Sequence, residues 1–289
     1  MSATLPPGLF DRVVEHLAGV PGVAALALGG SRGRGDARPD SDFDVGLYYR
    51  AEILDLPALD AALRALDDAH RDGLLNPPGA WGPWGNGGAW TRVEGLPVDI
   101  LLREVGRVEA VIGDCLAGRV TIDYQAGHPF GFLNAIYAAE THYCRPLWQD
   151  ASRSLDGLRA LLHSEGEYPP RMREALAGRF SWEAEFSLAT GRKAALAGDV
   201  HYALGCAFRA VGAWVQVLYA VNERYLMNEK GSLPGVRTLP QAPAEMEGRV
   251  GRAYALLAQG AAEEAWSLLE ALHGQVAALA ERTLGGVAP

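Results

Sequence analysis

The chain is poor in cysteine and has no long hydrophobic run. Its 289 residues include three cysteines, which stand far apart without a CxxC or Cys/His cluster: Cys115, Cys144 and Cys206. This pattern argues against a disulfide framework and a zinc site and favours reduced thiols. No apolar run approaches the ~18 residues needed to span a bilayer, and the N-terminus lacks the basic start and apolar run of a signal peptide. We therefore expect a soluble, cytoplasmic protein that does not bind a membrane.

Positive charge is scarce, and nearly all of it is arginine. Lys and Arg total 26 against 35 Asp and Glu, which gives a formal charge of −9, and the two lysines are Lys193 and Lys230. Proteins that follow a nucleic-acid backbone usually have a basic face, so this balance argues against an extended nucleic-acid partner. The length and the apolar content of 49% allow two domains with substantial cores.

The most informative stretch reads LALGGSRGRGDARPDSDFDVGLYY. It predicts a strand over 23–28, a loop rich in glycine and arginine, and a second strand that carries Asp42 and Asp44. Side chains two apart on a strand point to the same face, so these carboxylates lie side by side while the residues between and after them point into a core. Adjacent carboxylates favour a hard cation, and Mg²⁺ held by a few carboxylates and substrate phosphates is the usual form.

The loop before these carboxylates has the composition of a phosphate-binding site. Gly29 and Gly30 allow backbone N–H groups to approach an anion closely, and Ser31 adds a hydroxyl donor. Three arginines could neutralise a pyrophosphate or could simply be solvated loop charges: Arg32, Arg34 and Arg38. A phosphate loop followed eleven residues later by an Asp-x-Asp pair describes a nucleoside triphosphate site.

These residues resemble the signature of the DNA polymerase β-like nucleotidyltransferases, which include the antibiotic nucleotidyltransferases. The family pattern is a Gly-Ser pair opening a helix, an Asp-x-Asp or Asp-x-Glu about a dozen residues later, and a third carboxylate on a later strand. Here the third carboxylate is Asp99 in GLPVDILLR, and the resemblance covers roughly residues 20–105. It implies Mg²⁺, with Mn²⁺ as a substitute, and a nucleoside triphosphate substrate.

The resemblance also implies a mechanism in which two metal ions clamp the attacking and leaving oxygens. Asp42 and Asp44 would hold both metals, and Asp99 would hold the metal that activates the acceptor or would take its proton. A separate general base could come from Glu140 in the segment YAAETHYC, with His128 and His142 as alternatives. A lone histidine beside a proline, such as His128, is more often structural.

The remaining pattern predicts an α+β domain with a mixed sheet over residues 1–127 and an all-α helical bundle over 128–289. In the first domain we expect a Glu94-Gly95 hairpin turn, helices over 8–18, 55–71 and 104–116, and strands over 90–93, 98–102 and 119–124. Residues 125–132 are interpreted as a turn-rich link. From Gly131 onward we expect helices over 131–144, 151–163, 170–197, 199–227, 243–258 and 260–284.

The bundle looks like the HEPN-type or kanamycin-nucleotidyltransferase-like domain that is appended to some bacterial members of the superfamily. It lacks the Arg-x4–6-His motif of HEPN ribonucleases, which argues against ribonuclease activity. A polar cluster ends at Lys230, which either caps a helix C-terminus together with Gly231 or supplies charge to the triphosphate or acceptor. In the first domain, three tryptophans set among glycines could stack on a base or acceptor ring or could pack against loops: Trp81, Trp84 and Trp90.

Three functional hypotheses follow. The first is a nucleotidyltransferase with a small hydroxyl acceptor of aminoglycoside-like type, since a cleft lined with carboxylates suits a cationic acceptor. The second is a nucleotidyltransferase that modifies a protein or RNA partner, as the toxin-neutralising relatives do. The third is a nucleotide-binding regulator without turnover, which the intact carboxylate trio argues against. The sequence leaves the base, the acceptor and the oligomeric state open.

Overall fold

A computed structural model of the protein describes residues 8–285, which form two compact units that interleave along the chain. Unit 1 contains residues 8–114 and Tyr137–Ser164, and unit 2 contains Cys115–Ile136 and residues 165–285. The expected fold class is confirmed, because a mixed α/β region is followed by a stretch of mostly long helices. The boundary between residues 127 and 128 stays a prediction, since the compact units change over at several points and not at a single one.

Unit 1 is organised by a mixed sheet of five strands, whose bounds are β1 Val23–Leu28, β2 Phe43–Tyr49, β3 Gly88–Val93, β4 Leu96–Glu104 and β7 Arg145–Gln149. The spatial order is β3-β4-β2-β1-β7. The pair β2–β4 is parallel, and the other neighbouring pairs are antiparallel. β1 is buried along its whole length, as its unbroken apolar sequence VAALAL requires.

Two helices of unit 1 pack on one face of this sheet and form a hydrophobic core with it. The helices that lie wholly or partly in the unit are α1 Leu9–Leu17, α2 Gly30–Arg34, α3 Leu56–Leu66, α4 Gly82–Gly85, α5 Val105–Leu116, α6 Ala135–Tyr143 and α7 Ser154–Leu162. α1 and α3 present leucine and valine stripes to the sheet, and these meet Phe43, Val45 and Leu47 of β2, which are all buried. The prediction that residues between the two aspartates and after them enter a core is therefore confirmed.

The β3–β4 hairpin forms where the sequence predicts it. Its two-residue loop is Glu94-Gly95, and both residues have positive φ, 54° and 76°. This is the conformation of a type I′ turn, which matches the twist of the flanking strands. The predicted helix over 55–71 is shorter than expected, because Asp67 adopts an extended conformation after Leu66.

Three segments differ from the sequence-based expectations. The expected link over 125–132 and the start of the helix over 131–144 are instead part of a hairpin of β5 Ile122–Gln125 and β6 His128–Leu133 in unit 2. The edge strand β7 was not expected, because it is short, contains Pro146 and has no buried alternation. Proline is tolerated there since an edge strand has one side without partners.

The helical unit contains α8 Pro170–Leu196, α9 Val200–Val221, α10 Ser232–Gly235, α11 Met246–Ala258 and α12 Ala262–Leu284. α9 ends at Val221 and not near residue 227, and the Asn222 side chain caps it by donating to the carbonyls of Leu218 and Gln241. Contrary to the expectation from apolar runs, α9 is long and apolar enough to cross a membrane by length and composition alone. Its most apolar window is 67% buried within the protein, as in a core helix.

Asp67 fastens the end of α3 to the sheet. Its buried carboxylate accepts hydrogen bonds from the Arg71 guanidinium at 2.9 and 2.6 Å and from the Arg92 backbone N–H at 2.9 Å. The same guanidinium donates to the Trp90 carbonyl at 3.0 Å. The hydrogen bonds from Arg71 hold the pKa of Asp67 far below its usual range.

We expect Asp67→Asn to lower the free energy of unfolding by roughly 2 kcal/mol at pH 7, because an amide cannot replace charge-assisted bonds on both oxygens. A lowered carboxyl pKa gives stability that is present above about pH 4 and is lost as the pH falls further. The difference between variant and wild type should therefore shrink on acidification in denaturant titrations. A difference that stays constant from pH 7 to pH 3 would contradict this account.

Candidate active site

Two of the three predicted carboxylates lie opposite each other on neighbouring strands. In the parallel register of β2 and β4, Asp44 is the partner of Asp99. Neighbouring strands are about 4.8 Å apart and residues paired in this way point to the same face, so the two side chains lie close together on the sheet. Asp42 precedes β2 and is exposed. The register thus assembles residues that are 55 positions apart in sequence.

Burial and mutual repulsion shape the acidity of this trio. The pKa of Asp44 is raised to about 6, first by burial and then by the negative charges of Asp99, Asp42 and Glu140, against which the positive charge of Arg103 acts. The pKa of Asp99 is also raised, by burial and by the charge of Asp42. Because part of each shift comes from neighbouring negative charges, a cation bound among these carboxylates would relieve their mutual repulsion.

The glycine loop packs directly against Asp44. The Gly29 N–H donates to the Asp44 backbone carbonyl at 2.8 Å. Gly30 has φ of +57°, and a Cβ atom there would lie 1.8 Å from the Asp44 Oδ2. Only glycine fits this approach. The structure thereby brings the predicted phosphate loop and the Asp-x-Asp pair together, with Ser31 in the first turn of α2.

Arg32 holds the loop that leads to Asp42. It is buried, and its guanidinium donates to the carbonyls of Ser41, at 2.6 and 3.1 Å, and Asp42, at 3.2 Å. It also lies 3.8 Å from the centre of the Phe43 ring. These contacts describe a positioning residue. A phosphate contact by Arg32 stays a prediction. To make it, the Arg32 guanidinium would have to bind the phosphate in addition to these carbonyls.

The other two loop arginines are not held in this way. Arg34 forms an ion pair with Asp36 at 2.7 Å, and Arg38 is exposed. Arg34 is half-buried, whereas the exposed guanidinium of Arg38 keeps most of its donors in water and can turn toward an anion at small cost. The contact of Arg34 and Arg38 with pyrophosphate stays a prediction.

Glu140 and Arg103 form a buried ion pair beside Asp44. The Arg103 Nε and Nη2 donate to the two Glu140 carboxylate oxygens at 2.7 and 2.8 Å, and Arg103 is 5% exposed. Both oxygens of Glu140 thus already accept charge-assisted bonds, so a role as general base would have to use their remaining lone pairs. The two residues line one pocket with Gly29, Gly30, Asp44, Gly46, Tyr48 and Cys144.

The sequence analysis did not single out Arg103, although a signal was present. Arg103 lies four residues after Asp99 on the same strand, so both side chains share a face. An arginine inside the apolar run VDILLRE must be paired when it is buried. A carboxylate partner was therefore required, and Glu140 supplies it.

The predicted residues of unit 2 have structural contacts of their own. The Glu229 carboxylate accepts from the backbone N–H groups of Phe130 and Gly131 and lies 3.6 Å from the His128 ring nitrogen. Lys230 is exposed in a turn, and Gly231 precedes α10. The expectation that Lys230 ends a helix is wrong because α9 ends nine residues earlier, and its role as a nucleotide ligand stays a prediction. In unit 1, His142 lies 3.3 Å from His163 between ring nitrogens.

The three tryptophans of unit 1 differ in their surroundings. Trp84 is buried against the edge of the Tyr137 ring. Trp81 and Trp90 stack with ring centres 4.6 Å apart and an angle of 27° between the planes. Trp90 is 57% exposed and is paired with Asp99 in the β3–β4 register. Trp84 therefore packs within unit 1, as one of the two alternatives predicts. Trp90 is exposed to solvent beside Asp99, and Trp81, which stacks on it, is half-buried.

Residues 10–107 match the nucleotidyltransferase domain family, and this range contains the glycine loop and all three carboxylates. This match supports the expectation of a nucleotidyltransferase domain in this part of the chain. No curated protein sequence matches the chain. Among solved structures it is similar to a nucleotidyltransferase-like protein from Exiguobacterium sibiricum 255-15, with a TM-score of 0.45 and 11% identity, covering 96% of this chain and 77% of that chain.

Gly30→Ala should be more destabilising than a matched glycine substitution elsewhere in unit 1. Gly73 also has a positive φ, +67°, but an added Cβ there meets nothing within 4 Å. Both variants carry the backbone penalty of a left-handed alanine, and Gly30→Ala adds the clash with Asp44. We expect its unfolding free energy to fall at least about 1 kcal/mol further in denaturant titrations. Equal losses of unfolding free energy in Gly30→Ala and Gly73→Ala would show that the glycine loop is not in close contact with Asp44.

The raised pKa of Asp44 gives a second prediction, for protein kept free of divalent metal by a chelator. The protonated form contributes stability that is fully present below about pH 4 and is lost as the pH rises through about 6. Relative to Asp44→Asn, the wild type should therefore lose up to roughly 2 kcal/mol between those values. Denaturant titrations at several pH values measure this loss, and a wild type that gains stability over the same interval would contradict it.

Proposed function

We propose that this protein transfers a nucleoside monophosphate from a nucleoside triphosphate to a hydroxyl group of a small acceptor, in a reaction that depends on Mg²⁺. The observation that carries the proposal is the shared sheet face on which a glycine loop packs against Asp44 and Asp44 is paired with Asp99. The family match over residues 10–107 supports the same reaction class. Nucleotidyl transfer requires hydrogen-bond donors that hold the phosphates and a cluster of carboxylates that holds the metal, both within one site.

The donor set of this site fits a magnesium ion. Mg²⁺ prefers oxygen ligands and is usually bound by one or two carboxylates together with substrate phosphates. Asp42, Asp44 and Asp99 provide such oxygens. Burial and, after it, neighbouring negative charges raise the pKa of Asp44 and of Asp99, and a bound cation would relieve the repulsion among these charges. Mn²⁺ has the same ligand preference and is expected to substitute. When bound, the metal would supply charge stabilisation for the phosphoryl oxygens and lower the pKa of the acceptor hydroxyl.

Each group of the chain has a role in this proposal. The Gly30 backbone N–H and the Ser31 hydroxyl bind the β- and γ-phosphates, with Arg34 and Arg38 adding positive charge at the loop. The predicted phosphate contact of Gly29 would have to compete with the hydrogen bond from its N–H to the Asp44 carbonyl. Asp99 receives the proton of the acceptor hydroxyl at a carboxylate oxygen, directly or through water, because its raised pKa makes it a better base than an ordinary aspartate. Glu140 is the second candidate for that proton.

The acceptor that fits best is a small molecule with positive charge, of the aminoglycoside-like kind. The site combines at least three carboxylates and one buried guanidinium that is already paired with Glu140. A cationic acceptor is attracted by this excess of negative charge.

Modification of a protein partner is the second candidate, and one observation favours it. On α8, Trp182 and Phe186 stack with ring centres 5.3 Å apart while 64% and 55% of their surfaces are exposed. Exposed large aromatic residues are typical of protein interfaces. If the labelled nucleotide is transferred to a protein and not to a small molecule, protein modification becomes the favoured function.

The direct test is Mg²⁺-dependent pyrophosphate release from each of the four nucleoside triphosphates. Asp42→Asn and Asp44→Asn should each lower turnover by at least about 100-fold, because removing a metal ligand removes transition-state charge stabilisation. Their thermal melts should stay close to the wild type, and Asp44→Asn should be neutral or stabilising since the ionised carboxylate is disfavoured by burial.

Asp36→Asn is the matched control, because Asp36 is exposed and pairs with Arg34 on the same loop without belonging to the carboxylate trio. It should keep turnover within about threefold of the wild type, as expected for an exposed ion pair. If either Asp42→Asn or Asp44→Asn unfolds the protein, the pair is structural and the proposal fails. Full turnover in both variants would reject it equally.

A further inference from the structure

An exposed indole lies directly beside the third carboxylate. Trp90 is the antiparallel partner of Asp99, and side chains paired in this way point to the same face. More than half of the indole is open to solvent, at 57%. We propose that Trp90 is a stacking platform for a ring of the acceptor, so that the acceptor class is a hydroxyl compound built on an aromatic or sugar ring. This inference rests on the proposed nucleotidyl transfer.

The platform is held in place on two sides. Trp81 stacks on Trp90, and the Trp81 ring itself lies so close to the backbone of Gly88 that a Cβ there would be 2.8 Å from it. The Trp90 carbonyl accepts a hydrogen bond from Arg71, which Asp67 anchors in turn. A binding surface that is rigid before the ligand arrives loses little conformational entropy on binding. An exposed residue fixed in this way differs from an ordinary surface tryptophan.

The sheet order places this platform on the acceptor side of the site. In-line displacement requires the attacking hydroxyl to lie opposite the leaving pyrophosphate. Across the sheet the glycine loop follows β1, Asp44 lies on β2, Asp99 on β4 and Trp90 on β3. At about 4.8 Å per strand, Trp90 is roughly 14 Å from the phosphate loop and one strand beyond Asp99. Pyrophosphate and Trp90 therefore lie on opposite sides of the carboxylates.

The chemistry of an indole decides the class of ligand. Its face is apolar and carries the negative part of the ring quadrupole, so it binds aromatic rings, the apolar faces of sugars and cations attached to rings. The neighbouring Asp99 selects a hydroxyl group within about one strand spacing of that ring. A linear polyol or amino alcohol offers the hydroxyl without the ring and gains nothing from Trp90.

The experiment compares matched probes that differ in the ring. The pairs are tyrosine amide against serine amide, and methyl glucoside against sorbitol, and their binding is measured by calorimetry with Mg²⁺ and a non-hydrolysable ATP analogue present. The wild type should bind the ring member of at least one pair more tightly than its linear partner. Trp90→Ala should weaken that ring member about tenfold, the size of one aromatic contact, and Trp90→Phe should lose less.

Two controls separate this site from other effects. Tyr202→Ala removes an aromatic side chain of similar exposure, 54%, from α9 and should leave binding of every probe unchanged. Trp90→Ala should bind the ATP analogue and inorganic tripolyphosphate as the wild type does. If it weakens the ATP analogue but not tripolyphosphate, Trp90 stacks on the base and the acceptor assignment is overturned.

The assignment is also overturned if no ring probe binds, if ring and linear probes bind equally, or if Trp90→Ala binds the ring probe as tightly as the wild type. Failure of the proposed function looks different. In that case no Mg²⁺-dependent binding of the ATP analogue occurs in any variant, including those with Trp90 intact. If the wild type binds the ATP analogue but binds no ring probe more tightly than its linear partner, the platform alone is rejected.

Discussion

The parallel pairing of β2 with β4 is the constraint on which the candidate site depends. Its register sets Asp44 opposite Asp99 and Tyr48 opposite Arg103. A slip of one residue would turn Asp99 into the core and bring Val98 to the surface. The register is fixed from the opposite face, where alternate residues of both strands are buried in the core: Phe43, Val45, Leu47, Val98, Ile100 and Leu102. Hydrophobic alternation on one face thus positions charge on the other.

The second property of the site is an excess of negative charge that the protein leaves uncompensated. Arg103 is buried against Glu140, and the pair largely neutralises itself. The pKa of Asp44 rises to about 6, first because its carboxyl group is buried and then because Asp99, Asp42 and Glu140 carry negative charge. Breaking such a pair by removing one partner leaves a buried charge, at a cost of several kcal/mol. The Arg103–Glu140 pair thus stabilises the fold around the carboxylate cluster, and the cluster itself keeps negative charge that attracts a cation.

Local sequence signals predicted the centre of this structure well. The strands around residues 23–28 and 43–49, the hairpin turn at Glu94-Gly95 and the approach of Asp99 to the Asp-x-Asp pair follow from periodicity, turn chemistry and family resemblance together. These features depend on residues that are close in sequence or carry strong motifs.

The features that escaped prediction depend on contacts between distant residues. β7 is recognisable as a strand only through its pairing with β1, because its own sequence RPLWQ has no clear alternation. The bond between Arg103 and Glu140 spans 37 positions, and nothing local identifies the partner. The residue type and loop position of Arg32 predict a phosphate ligand, yet in the folded protein its guanidinium donates to the carbonyls of Ser41 and Asp42. Composition predicts what a side chain can do, and packing selects which contact it makes.

The most direct test of the central claim is the number of protons released when Mg²⁺ binds, measured by calorimetry in buffers of different ionisation enthalpy. Because a metal ligand must be deprotonated, a carboxyl with a pKa of about 6 should release about half a proton at pH 6 and almost none at pH 8. Asp44→Asn should reduce the difference between the two pH values, leaving only the contribution of Asp99, whose pKa is also raised. If the wild type binds Mg²⁺ at pH 6 without releasing protons, or if Asp44→Asn releases as many, then Asp44 is not a metal ligand and the site described here is not a nucleotidyltransferase centre.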